Sequence, residues 1–215
     1  MFFDLKADNL HSYKLLTSLV LPRPIAWVSS MSANGLVNAA PFSFFNALSG
    51  NPPIIALGIG SNSAGAKHTA QNIERENEFV VNLVSYALAD RMNISAYEFP
   101  AEQSELEYAG LAASPSVHIN TPRISASPAS LECTLWQKIP VTESNAIYLA
   151  HVVGAHVIDE AVSDPERAYF DANKLDTIAR LHGADWYTRA SDTFKMPRHK
   201  NKPAPVTHTD SDHKD

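Results

Sequence analysis

The feature that most constrains this chain is a hairpin pattern near its start. "RPIAWVSSM" (23–31) is rich in β-forming residues, "SANG" (32–35) is a turn signal, and "LVNAAPFSFFNAL" (36–48) is a second extended run. Together they predict an antiparallel pair. Pro41 lies inside the second run. Proline cannot donate to a ladder, so this position predicts an edge strand or a bulge. Pro52 and Pro53 punctuate the chain, and "IIALGIG" (54–60) follows as a third strand.

The rest of the pattern is mostly of the same kind. "EFVVNLV" (78–84) reads as a strand by alternation and β-branched content. In "SLECTLWQKIPV" (130–141), Leu131, Cys133 and Leu135 alternate with Glu132, Thr134 and Trp136, and "AIYLAHVVGAHVID" (146–159) is a long strand. Helical spacing is confined to "KHTAQNIERE" (67–76) and "YALADRMNISAY" (86–97). Many strands with hairpin-type connections and few short helices predict a mainly β fold, an antiparallel barrel or sandwich rather than a doubly wound sheet. No repeat divides the chain. Residues 1–196 read as one domain and 197–215 as a flexible polar tail, because "PRHKNKPAPVTHTDSDHKD" has almost no apolar side chains to bury.

Composition narrows the partners. Hydrophobic residues make up 45% and charged residues 19%, enough for a sizeable core, and the net charge of −6 gives no reason to expect nucleic acid. One cysteine, Cys133, permits no intrachain disulfide and fits a reducing compartment. The start "MFFDLKADNL" lacks a basic segment of the signal-peptide type, and no apolar run reaches the roughly 18 residues of a membrane span. The expected location is the cytoplasm.

"GIGSNSAGAKHTAQNI" (58–73) comes close to a nucleotide-binding loop but fails its geometry. A P-loop places Lys directly after its second Gly. Here Ala66 intervenes after Gly65, and His68 separates Lys67 from Thr69. One residue of slip at a helix start turns a side chain by about 100°. The GxGxxG fingerprint fails as well, since Ser63 replaces its third glycine. What remains is a loop of small residues entering a helix whose first turn carries Lys67 and Thr69. That arrangement suits an anion, and equally a plain surface helix with a solvated lysine.

The hairpin carries unusual polarity for strands: Ser29, Ser30, Ser43, Asn38 and Asn46, beside Trp27, Phe42, Phe44 and Phe45. Buried polar groups need partners. A flat, mostly apolar ligand with a polar rim and a phosphate would supply them; an edge hairpin with solvent-facing Ser and Asn would need none.

These segments resemble the flavin reductase-like family with the FMN-binding split barrel. The likeness runs through "RPIAWVSSMSANGLVNAAPFSFFNALSGNPPIIALGIG", "KHTAQNIERENEFVVNLV", "ASLECTLWQKIPV", "YLAHVVGAHV" and "RLHGADWYTRASDTFKMPR", roughly residues 8–198. It implies an antiparallel Greek-key split β-barrel, FMN as cofactor and a homodimer. Carried onto this chain, it implies Ser29 and Ser30 beside the ribityl-phosphate, with Trp27 on the same strand. The backbone of Asn38, Ala39 and Ala40 would lie along the polar edge of the ring, with Pro41 following. Ser43 and Phe44 would lie near tail and ring, and Lys67 and Thr69 at the phosphate. His182, taken as the catalytic candidate, and Tyr187 would approach the flavin, His182 from either subunit. The sequence departs from the family where His68 and His151 stand at commonly acidic positions.

Flavin carries its own redox chemistry. This accounts for the absence of a nucleophile–base pair, an HExxH motif or a demanding carboxylate pair. His151 and His156, five apart on a strand, are expected on opposite faces, and no metal site is expected. Cys133 reads as a small core residue and Glu132 as a satisfied polar group. The activity implied is hydride transfer from NADH or NADPH to N5 of FMN, with a partner oxygenase as one recipient of the reduced flavin. An electron-transfer flavoprotein of the flavoredoxin type and a non-catalytic FMN-binding protein are the alternatives.

Overall fold

The computed structural model describes residues 1–6, 11–61 and 65–197. All but Pro197 of the polar tail lies outside the described residues. Seven strands form the main sheet: β1 (Ala26–Met31), β2 (Val37–Phe42), β3 (Phe45–Gly50), β4 (Pro53–Ile59), β5 (Glu78–Asn82), β6 (Ala129–Pro140) and β7 (Ala146–Val157). Their order is β2-β1-β5-β6-β7-β4-β3, antiparallel throughout. The expected mainly β fold with short helices is therefore present. Gly35 closes the β1–β2 turn at φ 76°, and Ser32 and Leu36 bond across it. A residue with a Cβ resists that backbone conformation, which is why the turn signal reads so clearly in the sequence.

The run 36–48, expected as one strand, is two. It breaks at Ser43 and Phe44, and its halves are the two end strands of the sheet. Strands adjacent in sequence but at opposite ends of the pairing order force the sheet to roll. Its core records this: Val28 and Phe42 from one end pack in the same cluster as Ile55 and Leu57 from the other, with Phe79, Cys133 and Tyr148 between. Helix α2 (His68–Glu76) adds Ala70 and Ile73 to that cluster. The ladder does not close all round; Gly58 N–H donates to Phe44 O at 2.7 Å, which extends the β3–β4 pairing by one residue.

The other face of β1 and β2 is covered by a second cluster. Trp27 and Ala39 meet Met92 of α3 (Ala89–Ile94), Leu106 of α4 (Glu105–Tyr108), and Ile178. Ile178 belongs to a small sheet in which Arg23–Pro24, Ile178–Arg180 and Tyr187–Arg189 pair antiparallel. That sheet, and the N-terminal helix α1 (Ser12–Leu19), left no clear period in the sequence. The helix expected over 86–97 is a 3₁₀ turn at Tyr86–Leu88 followed by α3.

One strand expectation is corrected. A register shift between Val152 and Gly154 on β7 reverses the side-chain alternation beyond it. His151 pairs opposite Thr134 and His156 opposite Ser130, so both lie on the face of Glu132 and not on opposite faces. They still form no pair. His156 bonds Glu132, and His151 packs against the Trp136 ring at 5.5 Å. No group of three or more potential metal ligands occurs among the described residues. None of their helices is long and apolar enough to cross a membrane.

Candidate functional site

The site follows from the open edge of β2. Its backbone groups at Val37 and Ala39 point off the sheet: Ser104 Oγ donates to Val37 O at 2.6 Å, and Ala39 N–H donates to Glu105 Oε2 at 3.1 Å. By strand alternation Pro41 faces the same way. Its missing N–H would have pointed off the edge, so the proline costs the ladder nothing, as the sequence implied.

Two clefts run along this edge and share Pro41 and Ala96. The first, about 190 Å³, is lined by Asn38, Ala40, Lys67, His68, Thr69 and Glu105, with Tyr97 and Phe99 on its far wall. The second, about 260 Å³, is lined by Ser43, Phe42, Asn93, Arg180, Asp185 and Tyr187. Lys67 stands at the N-cap of α2, where no side chain caps the helix. Its ammonium lies 5.4 Å from the centre of the Phe42 ring. A cation at an uncapped helix start is a favourable place for an anion.

Seven of the expected residues therefore lie in two adjoining clefts: Asn38, Ala40, Pro41, Ser43, Lys67, Thr69 and Tyr187. Others lie elsewhere. Trp27, Ser29, Ser30 and Ala39 are fully buried and have no surface to offer a ligand. Trp27 Nε1–H donates to Ser95 Oγ at 2.9 Å, Ser29 Oγ donates to Pro122 O at 2.7 Å, and Asn72 donates to Ser30 Oγ at 3.1 Å. Ser29 thus ties the sheet to the loop at Pro122, and Ser30 ties β1 to α2 and to Asn38 of β2. Phe44 is half exposed, edge-on to Tyr13 with ring centres 6.1 Å apart. His182 stacks on Trp186 at 5.8 Å and lines neither cleft.

Glu105 is a residue that sequence reasoning missed. In "AEQSELEY" it reads as one more acid on a surface helix, yet it is 4% exposed and belongs to the first cleft. Its carboxylate accepts from Ala39 N–H and from the Asn38 amide, whose oxygen accepts from Thr69 Oγ1 at 2.9 Å and Ser30 Oγ at 3.3 Å. Burial pushes the Glu105 carboxyl above its ordinary range, against the backbone N–H groups of Glu105 and Ala39, His68 and the Asn38 amide. Arg23 was also missed. It is 5% exposed and donates to Thr17 O, Val20 O and Leu181 O, which pins α1 and the small sheet beside Ser43. Burial, with Arg180 nearby, lowers its pKa.

A rolled antiparallel sheet with an anion-suited helix start beside a cleft along its open edge defines the class of β protein to which this chain belongs. The flavin reductase like domain matches residues 18–178, and the chain belongs to that family. It is 38% identical over 202 residues to an uncharacterized protein of Deinococcus radiodurans, covering 91% of this chain and 88% of that one. Among solved structures it is similar to the 2-nitrobenzoate 2-nitroreductase NbaA of Pseudomonas fluorescens, with 30% identity, TM-score 0.86, and 95% and 99% of the two chains covered. It is also similar to nitrilotriacetate monooxygenase component B of Bacillus cereus, with 29% identity, TM-score 0.84, and coverage of 91% and 98%.

Proposed function

We propose that the chain is an FMN-dependent NAD(P)H:flavin oxidoreductase of the split-barrel kind, holding FMN along the open edge of β2. The observation that carries this reading is the convergence of seven expected residues on two clefts that share Pro41 and Ala96. When bound, the flavin would supply the redox chemistry by accepting hydride at N5 from NADH or NADPH. The chain's residues hold and orient. Lys67 and the uncapped start of α2 take the phosphate. Ala40 and Pro41 give the ring an apolar wall, and Tyr187 and Ser43 bound its far end.

The family likeness and an exposed apolar surface support a homodimer. Leu16, Leu19 and Val20 on and after α1, with Phe44 and Leu48, are each about half exposed or more. Exposed apolar side chains of this kind suit an interface, and the Tyr13 ring against Phe44 sets α1 beside the start of β3. His182 would then reach the flavin from the second copy. The similarity to a monooxygenase component supports a partner oxygenase, and the lone cysteine a reducing, cytoplasmic setting. A second reading is an electron-transfer flavoprotein. The absence of a dinucleotide-binding fingerprint from the sequence favours it.

The test is to load the protein with FMN, exclude oxygen, and add NADH or NADPH while following the flavin's visible absorption. Rapid bleaching is expected. Bound flavin that stays oxidised with both donors would replace the reductase reading by the electron-transfer one. Lys67→Ala should weaken FMN binding by about 10- to 100-fold, the loss of a charge-assisted bond. Unchanged affinity would remove Lys67 from the site.

A further inference from the structure

The hydrogen-bond directions around Asn38 conflict with the role expected of Thr69. An ionised carboxylate only accepts, so Glu105 fixes the Asn38 amide with its NH₂ toward the carboxylate and its oxygen toward Thr69. The one hydrogen of Thr69 Oγ1 is then spent on Asn38 Oδ1. An anion arriving beside Lys67 would meet hydroxyl lone pairs, and a buried carboxylate behind them. If Glu105 is neutral, both obstacles disappear. Its O–H can donate to a flipped Asn38 oxygen, and the Asn38 NH₂ can donate to Thr69 and to Ser30 Oγ, whose own hydrogen then turns away from Asn38. The threonine hydrogen is then free for the anion. Ala39 N–H keeps its acceptor in both arrangements.

Resting on the FMN reading, we infer that Glu105 is a positioning residue which, through Asn38, sets the Thr69 hydroxyl to accept or to donate, so that binding of a phosphate monoester in this cleft takes up one proton at Glu105. The proton comes from solvent and stays on the carboxyl while the anion is bound. The groups facing Glu105 are His68 and Lys67 at the start of α2, and Glu98 and Tyr97 across the cleft; β2 contributes no charge. Burial of Glu105 raises its carboxyl pKa and so favours the neutral form.

The test is calorimetric titration of FMN into the intact protein, in buffers of different ionisation enthalpy, across about pH 5.5 to 8. The wild type should take up close to one proton more than Glu105→Gln. Its affinity should fall by up to tenfold per pH unit where Glu105 is ionised in the free protein. Glu105→Gln, whose amide can donate to Asn38 and accept from Ala39, should bind at the tight limit, with only the pH dependence that the phosphate itself brings. Proton uptake by the phosphate itself is common to both proteins and cancels in the difference. His68→Asn should retain the difference. Thr69→Val should lose it, and Thr69→Ser restore it. Riboflavin, without phosphate, should show no difference. FMN binding with equal proton uptake in wild type and Glu105→Gln overturns this inference alone. No FMN binding to either protein at any pH overturns the flavin reading and this inference together.

Discussion

Replacing Glu132 by glutamine keeps the side chain's shape but removes its charge and one acceptor. Glu132 is fully buried on β6. Its Oε1 accepts from Val117 N–H at 2.7 Å and lies against His156 Nε2, and its Oε2 accepts from His118 N–H at 2.7 Å. The carboxylate thus anchors the 117–118 loop over the sheet. Glutamine offers one oxygen. Turned toward Val117 and His156, it sets its NH₂ against His118 N–H, donor to donor. A hydrogen bond to a charged group contributes about 1.5–3 kcal/mol, and a buried donor left unpaired costs about 1–3. Glu132→Gln should therefore destabilise the fold by about 3 kcal/mol, toward the low end of the summed range of roughly 2.5 to 6. For a chain of this size that lowers Tm by about 6–12 °C. Urea unfolding at neutral pH measures it. The pH dependence adds a second check. Burial pushes the Glu132 carboxyl up, but the bonds from His156, Val117 and His118 outweigh burial and hold it below the ordinary range. With the folded pKa below the unfolded value of about 4.3, this stabilisation is complete above that value. It is lost as pH falls through the folded pKa. The gap between wild type and variant should therefore narrow in acid. A variant within about 0.5 kcal/mol of wild type, or a gap constant down the acid limb, would refute the reasoning.

Two further outcomes concern neighbouring residues. A Cβ on Gly154 would lie 3.2 Å from His118 Cδ2 and 3.3 Å from Glu132 Cδ, the latter held by its bonds to Val117, His118 and His156, so Gly154→Ala should cost about 1–2 kcal/mol in urea unfolding; an unchanged midpoint would mean that the 117–118 loop yields freely. Cys133 is fully buried and burial pushes its thiol far above the ordinary range. An aromatic disulfide reagent should label it only in step with denaturant unfolding, and fast labelling of the native protein would contradict its place in the core.

Much of the site was legible because its signals are local. Lys67 and Thr69 enter a helix by spacing, and Pro41 marks an open edge by the N–H it lacks; both lie where those rules put them. Trp27, Ser29 and Ser30 carried the same polar and aromatic character but are buried, because a hydroxyl on a strand reads alike whether it meets a ligand or a covering loop. Glu105 was invisible for the reverse reason. Its surface-like sequence is buried only because α4 packs against the edge of β2.

Period and punctuation alone determined that the chain is antiparallel, mainly β and short in helix, because alternation and turn chemistry act over a few residues. Tertiary structure decided what no local rule contains. The break at Ser43 and Phe44 sends two consecutive strands to opposite ends of one rolled sheet. A single bulge at Val152–Gly154 brings His156 to Glu132. The clefts exist because α2, α4 and the 95–99 segment meet along one open strand edge. Those contacts join residues tens of positions apart, and their energies depend on burial, which the order of residues does not state.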